Sequence, residues 1–145
     1  MLSGITPGLY SLFDVGVDGS YALGMELARA QESLRAAELC IQAGLVNSAA
    51  SRAYYAMFQA AQVALETAGY TRPTWSHSGL QALFTTELIQ RHKRYPAALR
   101  DSLASALVVR HTADYGHAGV SQRIAQRMVR RAAQFVQAVE EAVQR

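Results

Sequence analysis

The sequence has little of what staples or breaks a chain. Cys40 is its one cysteine, so no disulfide can form within it. That residue falls on an apolar stripe at helical spacing and reads as core rather than as a nucleophile. Proline is limited to three residues, which leaves long stretches free to be helical. Charged residues make up only 17% of the chain and hydrophobic ones 50%, a balance that excludes disorder. No run has the length and apolarity of a membrane span. The N-terminus lacks the basic start and apolar run of a secretory signal. A soluble cytoplasmic protein with no membrane partner is the expectation. One cysteine and four scattered histidines make no zinc-type ligand set, so no metal and no cofactor is expected.

What remains fits one helical domain. The 145 residues can bury a sizeable core. The net charge of +3 hints only weakly at an anionic partner. Residues 1–19 are rich in glycine and lack helical period, and read as an irregular arm. Residues 20–145 carry the domain. Ser20 is placed to cap a first helix over about Tyr21 to Ala43, with Leu23, Leu27, Ala30, Leu34, Ala37 and Cys40 recurring at helical spacing. Gly44 is the expected stop. A second helix, about Leu45 to Ala68, is apolar around most of its circumference and so belongs at the centre of a bundle. Ser76 is placed to cap a third, about His77 to Arg91, with Leu80, Leu83, Phe84 and Leu88 inward. Pro96 suits the first turn of a fourth, which carries Leu99, Leu103, Ala106, Leu107 and Arg110. Ser121 is placed to cap a fifth, with Ile124, Met128, Ala132, Phe135, Val139 and Val143 on one face. The predicted fold is all-α, an up-and-down bundle of four long helices plus a shorter one.

Chemistry concentrates where the fourth helix stops, in "VVRHTADYGH", Val108 to His117. Arg110, Asp114 and His117 stand at i, i+4 and i+7. On a continuing helix they share one stripe, where Asp114 can pair with Arg110 and orient His117. Gly116 leaves the last turn open. A guanidinium holds phosphate oxygens as charge grows on them. An imidazole titrates near neutrality and can move the proton of a 2′-hydroxyl. RNA brings its own nucleophile in that hydroxyl, so its cleavage does not require a metal. The spacing alone is a short motif that chance also produces, and Arg72 with His77 matches it loosely. The plainer reading is a polar helix end, with positive side chains favoured at the C-terminus and Asp114 paired locally.

The order of motifs resembles the HEPN superfamily (higher eukaryotes and prokaryotes nucleotide-binding domain) over about residues 22–142. "SRAYYAMFQAAQVAL" looks like the family's Tyr-Tyr-bearing second helix, and "SHSGL" like the His-containing start of the third. "RHTADY" is similar to the segment closing the fourth, and a final helix with "AAQFV" completes the set. The resemblance implies a metal-independent ribonuclease, whose family pattern is an arginine, four to six residues, then a histidine. Arg110 and His117, with six between, match it at its long limit. It implies a homodimer with both motifs lining a shared cleft. It also implies a toxin–antitoxin pair with a nucleotidyltransferase-type antitoxin, in which a tyrosine near the motif is modified. Tyr115 is the candidate for that. The chain departs from the best-known toxins in two ways: His111 directly follows Arg110, and Ala118 and Gly119 follow His117 where a tyrosine is usual. The alternative is a non-catalytic HEPN module that binds a nucleotide or a nucleotidyltransferase-type partner.

Other polar residues carry two readings each. His77 suits RNA binding or a structural place beside Trp75, and His111 sits within the motif. Tyr54 and Tyr55 read as core and interface packing, with the proviso that a buried hydroxyl needs a partner. Arg123, Arg127 and Arg130 form a stripe on the last helix. A solvated face is the plainer reading and a phosphate track the functional one. Exposed aromatics are not evident in the basic segments, which counts against sequence-specific single-strand recognition.

Overall fold

A computed structural model describes residues 20–144, with side chains from residue 26 onward. The arm expected over residues 1–19, the cap at Ser20 and the Leu23 side chain lie outside that description. The described residues hold helices and no strand: α1 (Ser20–Gln42), α2 (Val46–Thr67), α3 (His77–Leu83), α4 (Ala97–Tyr115) and α5 (Gln122–Val143). A π-helical segment, Phe84–Arg91, continues α3 directly. None of these helices is long and apolar enough to cross a membrane.

Glycine and serine set the ends. Gly44 adopts a φ of +77°, and Leu45 N–H returns to the Cys40 carbonyl at 2.8 Å, closing α1 with a left-handed turn. Ser76 Oγ accepts the Gly79 N–H at 3.0 Å and caps α3. Ser121 Oγ accepts the Ile124 N–H at 3.2 Å and caps α5. Pro96 is the N-cap residue of α4, one position before the first turn where it was expected.

α2 is the central element and packs on α1, α4 and α5. Its inward face is mostly alanine: Ala49, Ala53, Ala56, Ala60 and Ala61 are fully buried, which lets neighbouring backbones approach closely. Larger side chains fill the far side of the core. Phe84 stacks on Phe135 with ring centroids 5.4 Å apart, and Tyr95 meets Phe84 at 5.4 Å. Two details differ from the periodic reading. The end of the third helix widens to π geometry, which places Phe84, Leu88 and Ile89 inward together. In α5 the buried face runs through Ala125, Met128, Val129, Ala132, Phe135, Val136 and Val139, and Ile124 stays 37% exposed. Repeated steps of four overshoot the 3.6-residue turn, so the stripe drifts around the helix and its first position leaves the core.

Candidate functional site

The end of α4 carries an ion pair along its own surface and meets α2 through one aromatic ring. Arg110 Nε lies 2.8 Å from Asp114 Oδ2, with the side chains 15% and 27% exposed. The Nε atom is buried and its N–H is not aligned on the carboxylate, so the contact is ionic rather than a directed hydrogen bond. The Arg110 guanidinium carbon stands 5.3 Å from the Tyr55 ring centroid. Arg52, one turn earlier on α2, brings its own to 5.0 Å. Two cations therefore share one ring, whose quadrupole attracts each. Buried Nε is the end of the guanidinium the protein holds. The terminal nitrogens have no hydrogen-bond partner among the described residues, and the side chain as a whole is partly exposed.

Beneath this pair lies a second aromatic layer. Tyr54 meets Tyr55 edge to face at 5.4 Å and is itself 1% exposed. Its hydroxyl is hydrogen-bonded to His77 Nδ1 at the start of α3. His77 packs on Phe58 at 5.1 Å between centroids. Burial, then the neighbouring Tyr55, pushes the Tyr54 phenol well above its ordinary range, with Arg110 pulling the other way. Burial, then the nearby Arg110 and His111, holds His77 below the usual histidine value. Burial and a nearby cation both disfavour a histidine's charged form, so the surroundings of His77 favour the neutral ring.

The remaining candidates fall at different distances from this centre. His111 is exposed and its ring lies 5.4 Å from that of Tyr115. Tyr115 is 72% exposed. Helix α4 ends at Tyr115 and Gly116 is extended, so the stripe joining Arg110 and Asp114 does not continue to His117. His117 is exposed and engages no hydrogen bond, ion pair or ring among the described residues. Its turn is nevertheless anchored, since the Val120 N–H donates to Asn47 Oδ1 on α2 at 2.9 Å. Arg123, Arg127 and Arg130 are exposed on α5 and have no carboxylate partner among the described residues. A groove of about 630 Å³ runs beside the ion pair, lined by Cys40, Asn47, Ser51, Arg52, Asp114 and Tyr115. Cys40 is half-buried on its wall.

Arg52, Tyr54 and Tyr55 were not singled out as site residues by sequence reasoning. The available signal was the need of a buried tyrosine hydroxyl for a partner, which His77 meets from another helix.

The arrangement defines an all-α domain with a partly exposed cationic site at one helix end. The HEPN domain model matches residues 26–142, and the chain belongs to the HEPN family. It is 35% identical over 111 residues to the UPF0332 protein glr0978 of Gloeobacter violaceus, covering 75% of this chain and 86% of that protein.

Proposed function

We propose that the end of α4 binds an RNA phosphodiester and that the chain is a metal-independent endoribonuclease of the HEPN type. The observation carrying this reading is Arg110, held at Nε by Asp114 and at its face by Tyr55, with no hydrogen-bond partner for its terminal nitrogens among the described residues. A guanidinium held in this way offers paired donors to phosphate oxygens with little entropy left to lose. In the reaction His117 takes the proton of the 2′-hydroxyl as that oxygen bonds to phosphorus. Arg110 holds the growing negative charge. The bond to the 5′-oxygen breaks, and that oxygen takes a proton from solvent. Asp114 is the anchor of Arg110. Arg123, Arg127 and Arg130 extend the site as phosphate contacts. HEPN domains often dimerise, and a homodimer brings two such sites together. A toxin role follows, with a nucleotidyltransferase-type antitoxin as the partner and Tyr115, exposed beside His111, as the side chain it modifies.

The test is RNA cleavage in the presence of chelator. Wild-type protein cuts, and Arg110→Ala and His117→Ala lose about a hundredfold or more while keeping the wild-type helix content. Equal cleavage by all three proteins ends the assignment. A second reading is favoured by one feature: His117 lies past the helix end with no partner among the described residues to orient it. In that reading the same site belongs to a non-catalytic module that binds a nucleotide or a nucleotidyltransferase-type partner. Binding that depends on Arg110 without any cleavage selects it.

A further inference from the structure

Tyr54 has one hydrogen to donate and, among the described residues, one partner to receive it: Nδ1 of His77. The hydroxyl is buried within α2 and reaches no other acceptor there. A buried O–H left undonated is costly, so the hydrogen lies between Tyr54 and Nδ1, with the imidazole as acceptor. A neutral imidazole that accepts at Nδ1 carries its proton at Nε2. That nitrogen has no partner among the described residues, and the residue is partly exposed. Phe58 packs against the ring, and the Ser76 cap just before His77 fixes the backbone that carries it.

The same aromatic layer supports Arg110. Its guanidinium sits over Tyr55, Tyr55 meets Tyr54 edge to face, and Tyr54 holds His77. The free ends of Arg110 and His77 thus come from α4 and α3 but rest on adjacent residues of α2. One is a charged donor, the other a neutral donor locked in one tautomer.

We propose that His77, locked by Tyr54 with its proton on Nε2, is a second phosphate-binding donor that works beside Arg110 on bound RNA. His77 is a positioning group that stays neutral and gives up no proton. The assignment rests on the RNA-binding role of Arg110 and adds a residue, a tautomer and its cause. A histidinium would bring more charge, but burial and then Arg110 and His111 on α4 oppose it, and Tyr54 on α2 already occupies Nδ1. A neutral donor adds direction without adding to that repulsion.

Two substitutions separate the ring's inner and outer nitrogens. His77→Asn places an amide where Nδ1 stood, keeping an acceptor for Tyr54 and removing the outer donor. His77→Gln carries an amide to the position of Nε2 and keeps a donor there. The probe is a short single-stranded RNA with 2′-O-methyl sugars, which binds without being cut. His77→Asn weakens its binding by about tenfold or more, the scale of one hydrogen bond to a charged group. His77→Gln stays within about threefold of wild type. Nitrogen-15 spectra of the free protein place the His77 proton on Nε2, and Tyr54→Phe turns that single form into a mixture. Unchanged affinity in His77→Asn, with binding still lost in Arg110→Ala, overturns the donor role. A proton found on Nδ1 overturns the lock. If wild-type protein binds no RNA, the RNA-binding reading of Arg110 fails and the RNA role of His77 falls with it. The free-protein spectra decide the Tyr54–His77 assignment independently.

Discussion

Arg110 and Asp114 form a pair whose value lies in geometry more than in stability. Partly exposed i,i+4 pairs contribute under about 1 kcal/mol. Asp114→Asn is therefore expected to move the unfolding midpoint little while loosening Arg110, so that RNA affinity falls more than stability does. Thermal melts beside binding titrations compare the two directly. A large loss of stability with unchanged affinity would make the pair a structural brace and not a phosphate anchor. His77 is expected to contribute to the pH dependence near neutrality. Its value is held below the ordinary 6.5 in the fold, so folding favours the neutral ring. Its stabilising contribution is complete above the unfolded value and is lost as pH falls through the lower folded one. Urea midpoints taken downward from neutral pH should fall more steeply for wild type than for His77→Asn. Parallel slopes would remove His77 as the cause.

The turn between α4 and α5 is where an element boundary meets the site. Gly119 has a φ of +69°, and a Cβ there would stand 2.5 Å from Asn47 Oδ1. Gly119→Ala is thus strained twice and is expected to cost about 1–3 kcal/mol. Asn47→Ala removes the acceptor of the Val120 N–H and is expected to cost about 1 kcal/mol. Chemical denaturation measures both, and a neutral Gly119→Ala would show that the turn does not need its left-handed residue. Much of this scale was legible in the chain. Gly44, Ser76 and Ser121 marked helix ends because capping is local chemistry. The π-helical widening at Phe84–Arg91 was not legible, since it answers to packing across the core and leaves no local mark. The exposed Ile124 went the same way, because a fixed period was extended past the point where a real helix keeps it. The site divided similarly. Arg110 and Asp114 pair within one helix and could be read from spacing. Tyr54, Tyr55 and His77 converge from two helices, and no single-helix period encodes that meeting.

At the scale of the molecule, the HEPN bundle presents cations at one helix end and along the start of α5. The Arg123, Arg127 and Arg130 stripe is a separate question from Arg110, and salt dependence distinguishes them. Removing one phosphate contact to single-stranded RNA lowers the slope of log affinity against log salt by about 0.7. Replacing the three arginines with glutamine should flatten that slope if they follow the backbone and leave it unchanged if the stripe is only solvated. The central claim is narrower: Arg110, anchored by Asp114 and Tyr55, holds a phosphodiester. The most direct test is the affinity of wild type and Arg110→Ala for the 2′-O-methyl RNA across a salt series. The account predicts salt-sensitive binding by wild type. In Arg110→Ala it predicts affinity weaker by more than about tenfold together with a shallower slope. Identical affinities and slopes in the two proteins would contradict it.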